Sequence, residues 1–373
     1  MASVGDTTEE QTGAVQANRH LRRAVDRCLG DGIRPARVAQ ALVRMAEAVA
    51  SEVAEEGADY RTVSQQRLAE VPFGKECPCG RVYSEEHCYC SRCGEPLQRS
   101  VVPKVIPGRL QFEKRAGRGG IGVVYEAIDL SLGRRVAVKT LPGVTSQHDV
   151  ARLRREAQAL AAVSHRHLAA VYGFEVVHGT PMIIMQFVDG GTLADKIPLP
   201  LDVAIEVMLE ITDAVQCLHT AGILHRDIKP RNIGFTRQGE LKLLDFGLAR
   251  IEDEVTMSGV PGHSIVGTPA YMSPEALSRA KANPAFDIWA LSVVFYEMLT
   301  GCRPFAGEDR EDLTKAIRGV RPQPIDDHLP GCDRHLQRYF EGAFHREPSR
   351  RPTSALQVSR QIQRLRPDAP VPV

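Results

Sequence analysis

At 373 residues, with 43% hydrophobic and 25% charged residues, the chain has room for a two-lobed domain plus a smaller unit and enough apolar content to pack both. The formal net charge of +1 provides no basic excess to draw it onto nucleic acid or anionic lipid, so neither nucleic acid nor membrane is expected as a partner. No run of about 18 apolar residues occurs, and the first turns of the chain are polar and acidic where a secretory signal would be apolar, so a cytoplasmic location is expected.

Residues 1–15 are rich in Thr, Gly, Glu and Gln without apolar periodicity and read as a flexible leader. Residues 16–70 form a helical region. Val38, Leu42, Met45, Val49 and Val53 recur at helical spacing between Pro35, a first-turn residue, and Gly57, a stop. Leu21, Val25 and Leu29 suggest a shorter helix before it, and Val63 to Leu68 a third. An apolar stripe of this kind is more often packing than a partner site, and the region is read as structural or interaction-related.

Nine cysteines are present, five of them between Cys77 and Cys93, a density that suits a metal site in a reducing compartment. Cys28, Cys217, Cys302 and Cys332 are expected to be small buried hydrophobes. Within residues 73–97, Cys77 and Cys79 form one close pair and Cys90 and Cys93 another, each followed by glycine. Two such pairs on tight turns place four thiolates at the corners of a tetrahedron, which leaves no open position and points to a structural Zn²⁺. The segment is too short to fold on apolar burial, so a bound ion would supply its stability. It resembles a zinc ribbon, with C-x-C in place of the commoner C-x-x-C in the first pair, and with Cys88 and His87 as spare ligands. A group of reduced surface thiols is the alternative reading.

From about Val101 the chain turns to short β-rich runs. Gly117, Gly119 and Gly122 form a G-x-G-x-x-G pattern followed by Val123, Val124 and Tyr125 and then by RVAVK ending at Lys139. A dinucleotide-binding unit needs a helix straight after the glycines; β-prone residues here argue against it. Downstream come HRDIKPRN (225–232), DFG at Asp245 and GTPAYMSPE (267–275). In this order the motifs are highly specific, and residues 107–365 resemble the protein kinase family, the bacterial serine/threonine branch in particular.

The resemblance implies an α+β, two-lobed protein kinase fold: a small antiparallel β lobe with one helix, a larger helical lobe, and ATP in the cleft. Lys139 would hold the α- and β-phosphates and Glu156 would pair with it; with 9 lysines against 38 arginines, lysine at 139 and 229 is no compositional accident. Asp227 would accept the substrate hydroxyl's proton, Lys229 would neutralise the γ-phosphate, and Asn232 and Asp245 would ligate Mg²⁺. The adenine would lie between Val124 and Ala137 above and the region of Gly234 below, with Met185 as gatekeeper and the linker from Gln186 through Val188 to Asp189 offering backbone hydrogen bonds. Gly234 stands where the family more often has leucine, Ile121 replaces a larger residue at the loop tip, and Ser292 replaces a glycine.

Between Asp245 and Glu275 lie Thr256, Ser258, Ser264 and Thr268. A phosphate there, with Thr256 or Ser258 preferred, would pair with Arg226 beside the catalytic Asp227. Asp287 would support the catalytic loop, and Glu275 and Arg351 would form a buried scaffold pair. The expected activity is phosphorylation of protein serine or threonine hydroxyls, with autophosphorylation and a place in signalling. Rival readings are a scaffold that holds ATP without turnover, and a cysteine module that is itself the binding unit. Arg81 and Arg92 against Glu85, Glu86 and Glu95 leave that module too balanced for a phosphate-binding surface, which favours protein contact or internal docking. A Pro-rich tail occupies 366–373.

Overall fold

The computed structural model describes residues 71–118, 122–144, 146–245 and 269–366, all within one unit of the chain, Leu68–Val373. The leader, the helical region, Cys28, Gly119, Ile121, the hydroxyls Thr256, Ser258, Ser264 and Thr268, and the tail from 367 lie outside the described residues.

The cysteine segment forms a small antiparallel sheet in the order β2-β1-β3, from β1 (Lys75–Glu76), β2 (Val82–Tyr83) and β3 (Gln98–Arg99). Next come β4 (Val105–Ile106), β5 (Leu110–Arg118), β6 (Val123–Asp129), β7 (Arg134–Thr140), helix α1 (Gln147–Ala161), β8 (Val171–Val177) and β9 (Thr180–Gln186). These strands make one six-stranded antiparallel sheet in the order β4-β5-β6-β7-β9-β8. α1 begins at Ser146, whose hydroxyl accepts from the Asp149 amide, and buries Leu153, Ala157 and Leu160.

Successive side chains of a strand point to opposite faces, and β7 shows what each face meets. Ala137 joins a large core with Ile183, Met185 and the helical lobe. Its neighbours Val136 and Val138 join a second core with Leu110, Phe112, Tyr125, Met182 and Ile184. That second core is completed by Val82 and Val102 from the cysteine segment and its exit. The segment is therefore docked on the sheet, one of the two arrangements, protein contact or internal docking, that its balanced charge left open.

The larger lobe is built from α2 (Leu201–Thr220), the hairpin β10 (Ile233–Phe235) and β11 (Leu241–Leu243), and helices α3 (Pro274–Leu277), α4 (Pro284–Thr300), α5 (Arg310–Arg318), α6 (Arg334–Ala343) and α7 (Ala355–Gln363). α4 starts where the Asn283 side chain accepts from the Ala285 amide, has Pro284 in its first turn and stops at Gly301, whose φ of 72° is left-handed. From Asp287 to Leu299 every residue but Glu297 is buried, as suits a mostly apolar helix at the centre of its lobe. Ser292 fits there because its hydroxyl donates to the Ile288 carbonyl and meets the Tyr339 hydroxyl. This is the two-lobed kinase architecture. No described helix is long and apolar enough to cross a membrane.

The scattered cysteines differ from expectation: Cys302 is exposed, and Cys217 and Cys332 are only half-buried. Cys302 sits in the turn just past Gly301, where its amide donates to the Thr300 hydroxyl, and the Cys332 thiol donates to Asp326.

Arg351 Nη1 donates to both oxygens of Glu275 at 3.1 and 3.0 Å, its Nε donates to the His345 carbonyl, and its guanidinium lies 4.7 Å from the Trp289 ring centroid. Burial opposes the charge on Glu275, but Arg351 outweighs it and holds the carboxyl below its ordinary range. Arg351→Ala is expected to cost about 3 kcal/mol of unfolding free energy, the low end for a broken buried pair because Glu275 keeps 30% exposure. Urea denaturation measures it, and a loss under about 1 kcal/mol would place the pair with surface bridges.

Candidate active site and metal centre

β5 ends at Arg118 and β6 begins at Val123, and Gly117 pairs with Val124. Gly122 is required by close approach: a Cβ there would lie 2.7 Å from the Thr140 carbonyl oxygen on β7. Val124 faces Lys139 across β6 and β7. The Lys139 ammonium, on a side chain only 7% exposed, stands 3.4 Å from Asp245 Oδ1, which brings the lysine of one lobe to the DFG aspartate of the other. Glu156 lies on α1 in the turn between buried Leu153 and Leu160.

The catalytic loop is fixed from below. Asp287 on α4 accepts from the amides of His225 at 2.9 Å and Arg226 at 2.7 Å, and from His219 Nε2 at 2.8 Å. Burial works against its charge, yet the His219 hydrogen bond, the nearby imidazoles and the Arg226 amide hold the carboxyl below its ordinary range. Burial pushes the His225 imidazole below its ordinary value despite the surrounding aspartates. Arg226 takes a left-handed φ of 67°, and the chain turns there to present Asp227. Lys229 Nζ donates to both Asp227 oxygens, at 2.9 and 2.7 Å. Asn232 Nδ2 donates to the Asp227 carbonyl and to its Oδ2, both at 2.8 Å. Asp227, Lys229 and Asn232 are thus brought together as one cluster, with Asp245 and Lys139 forming a second pair.

The space beside Gly234 is filled by its neighbours. Gly234 pairs with Lys242 in the β10–β11 hairpin, and a Cβ on it would meet Val188 Cγ1 at 2.9 Å and Leu244 Cδ1 at 3.1 Å. Val188 and Leu244 occupy the space that a side chain at 234 would take. Met185 is buried and faces Ala137 on β7 and Val171 on β8, and the Gln186 amide is committed to the Ala170 carbonyl at 2.8 Å. The linker is also braced. Arg135 donates to Glu126 and to Asp189, the latter at 2.8 Å, and lies over the Phe187 ring, while Arg237 reaches Asp189 at 2.6 Å. Neither this brace nor His219 carries a motif; an arginine before the VAVK run and a histidine late in α2 are the only traces in the sequence.

In the cysteine module, the Sγ atoms of Cys77, Cys79, Cys90 and Cys93 all lie within 4.8 Å of one another. Cys77 and Cys93 are 3.3 Å apart, and Cys79 and Cys90 are 3.7 Å apart. Each pair sits on a turn closed by the glycine after it: the Gly80 amide donates to the Cys77 carbonyl three residues back and the Gly94 amide to the Cys90 carbonyl four residues back. The Cys79 amide points at Cys77 Sγ and the Arg92 amide at Cys90 Sγ, each at 3.4 Å. Both glycines are left-handed, with φ of 91° and 74°. The Tyr83 hydroxyl, 3.2 Å from Cys90 Sγ, pushes that thiol down to about 5, while burial pushes Cys77 up to about 12. Cys88 is exposed and outside the quartet, and His87 Nδ1 pairs with the Ser84 hydroxyl, so the spare ligands are not brought to the site.

A family model described as the protein kinase domain matches residues 110–362. The chain is 36% identical over 232 residues to the probable serine/threonine-protein kinase SCO3848 of Streptomyces coelicolor, over 60% of this chain and 34% of that protein. It is 37% identical over 246 residues to serine/threonine-protein kinase PknA of Mycobacterium tuberculosis, over 62% of this chain and 56% of that one. Serine/threonine-protein kinase Pkn1 of Myxococcus xanthus is 33% identical over 266 residues, over 68% of this chain and 38% of the relative. The chain therefore spans between 34% and 56% of these relatives' lengths. Among solved structures, Rad53 1-466 in complex with AMP-PNP matches with a TM-score of 0.55 at 26% identity, over 66% of this chain and 63% of that one.

Because Val188 and Leu244 fill the space beside Gly234, a leucine there is expected to overpack the cleft. Overpacking costs about 1–3 kcal/mol, so Gly234→Leu is expected to weaken nucleotide binding about tenfold, with part of the loss recovered by adding Val188→Ala. Titration with a fluorescent nucleotide analogue measures this; unchanged binding by Gly234→Leu would show that Val188 and Leu244 move aside freely.

Proposed function

Since this chain belongs to the protein kinase family, we propose that it is a serine/threonine protein kinase that transfers the γ-phosphoryl group of ATP to protein hydroxyls. The observation that carries the reading is the cluster around Asp227: a carboxylate held at a fixed place by Lys229 and Asn232, in a loop whose backbone is fixed by Asp287. Phosphoryl transfer asks for positioning and charge neutralisation. Asp227 accepts the proton of the attacking hydroxyl, and Lys229, already against it, neutralises charge on the transferred group. Lys139 holds the α- and β-phosphates, with Glu156 as its further partner.

Asn232 and Asp245 would hold Mg²⁺. The Asn232 amide nitrogen is committed to Asp227, which leaves its oxygen for a hard cation, and the Asp245 side chain keeps 26% exposure. The ion supplies charge neutralisation at the phosphates. Phosphorylation of Thr256 or Ser258 and its pairing with Arg226 belong to the same reading, as do protein substrates and a cytoplasmic location, where thiols stay reduced.

For the cysteine quartet the same reading assigns a structural Zn²⁺. Zinc–sulfur bonds of about 2.3 Å in a tetrahedron put sulfurs about 3.8 Å apart; Cys79 and Cys90 stand at 3.7 Å and Cys77 and Cys93 closer, at 3.3 Å, with all four sulfurs within 4.8 Å of one another.

Incubation with labelled ATP and Mg²⁺ and a basic protein acceptor is expected to show label transfer that Asp227→Ala lowers by about 10²–10⁴-fold. Equal transfer by both would remove Asp227 from the chemistry, and binding of ATP without transfer by the wild type would favour the scaffold. Elemental analysis is expected to find one zinc per chain, lost in Cys90→Ser and kept in Cys88→Ser; zinc that survives Cys90→Ser would refute this ligand set.

A further inference from the structure

The five residues Glu76 to Gly80 belong to two structures at once. Their cysteines, Cys77 and Cys79, are half of the thiol quartet. The residues alternating with them all reach Arg115 on β5. The Arg115 amide donates to the Gly80 carbonyl at 2.8 Å, its Nη2 donates to the Pro78 carbonyl at 3.3 Å, and its Nη1 lies 2.5 Å from Glu76 Oε1. Glu76 Oε2 accepts from the Tyr125 hydroxyl at 2.7 Å, and Tyr125 is the residue paired with Arg115 across β5 and β6. Burial and the Glu76 carboxylate hold the Tyr125 phenol protonated.

The place of this grip on β5 gives it significance. Between Arg115 and Gly117 the β5–β6 register shifts at a bulge, and bulges re-aim the strand that carries them. Gly117 opens the phosphate turn. The cysteine module therefore holds the strand two residues before that turn, at the point where its direction is set. The neighbouring bridge between Arg81 and Lys114 extends the same contact.

We infer that Glu76 and Arg115 are positioning residues for the nucleotide, through which metal occupancy of the four-cysteine module sets the course of β5 into Gly117 and Arg118 and hence the affinity for ATP. The inference rests on the kinase and zinc readings above. A segment this short has little core of its own, so its turns are ordered by the ion. Without the ion the Cys77–Cys79 turn relaxes, and Arg115 loses the Glu76 carboxylate and the two carbonyls together. Asp227, Lys229 and Asn232 are held by Asp287 in the other lobe and keep their places. Emptying the site is thus expected to raise KM for ATP and spare kcat.

The test uses the full chain. Zinc content, equilibrium binding of a fluorescent ATP analogue, and KM and kcat are measured for the wild type, Arg115→Ala, Arg115→Lys and Glu76→Gln, each before and after chelation. Arg115→Ala is expected to keep its zinc, bind the analogue at least about fivefold more weakly, as for a typical coupling between sites, and retain kcat within about twofold. Chelation of the wild type is expected to produce the same loss, chelation of Arg115→Ala no further loss, and Arg115→Lys an intermediate one. Wild-type affinity in folded Arg115→Ala would overturn the brace, and losses from chelation and substitution that simply multiply would overturn the coupling. Should Arg115→Ala fail to fold, Glu76→Gln, which keeps its size and can still accept from Tyr125, decides by the same readouts. A wild type without zinc would refute the metal reading and the occupancy half of this inference, whereas a wild type that binds zinc but no nucleotide would refute the kinase reading instead.

Discussion

A single buried carboxylate carries the catalytic loop. Asp287 is 1% exposed, and a charge so placed is tolerable only if donors replace the water it has lost. They come from His219 and from two consecutive backbone amides, His225 and Arg226. Arg226 is held in a left-handed conformation that a long side chain adopts only where its surroundings insist on it. The position of Asp227, and with it the bonds from Lys229 and Asn232, follows from that turn. α4, which bears Asp287, is in turn set by burial on every side and by the Arg351–Glu275 pair packed against Trp289.

The small lobe depends on a different constraint, the period-two alternation of its strands. One face of the sheet packs toward the cleft and the helical lobe, and the other would present Phe112, Tyr125, Val136 and Val138 to solvent without the cysteine module. Val82 and Val102 close that face. The module has too few apolar residues to fold alone, so sheet and module complete each other: the module covers the sheet, and the sheet gives the module an apolar floor. The polar contacts at Arg115 then add register to what apolar packing alone leaves loosely specified.

Positions that depart from the kinase pattern are compensated locally. Leu244 and Val188 close on Gly234, and Ser292, where glycine is common, satisfies its hydroxyl with the Ile288 carbonyl one turn back.

The residues assigned to phosphoryl transfer were legible because they are local in the chain: Asp227, Lys229 and Asn232 share one loop, and the glycines lie within six residues of one another. Strand and helix types were legible for the same reason, since periods of two and 3.6 are properties of short windows. The Asp287 and Arg351 roles were legible only through the family's pattern. Partner choice across the fold was decided by tertiary structure alone. His219 meets Asp287 across 68 positions, Glu76 meets Tyr125 across 49, Arg135 meets Asp189 across 54, and Cys88 is left out of a quartet whose members lie on either side of it. Hydrogen bonds, ion pairs and thiol clusters form or fail over less than an ångström, and that distance is fixed only when whole faces pack together, which no local pattern of residues encodes.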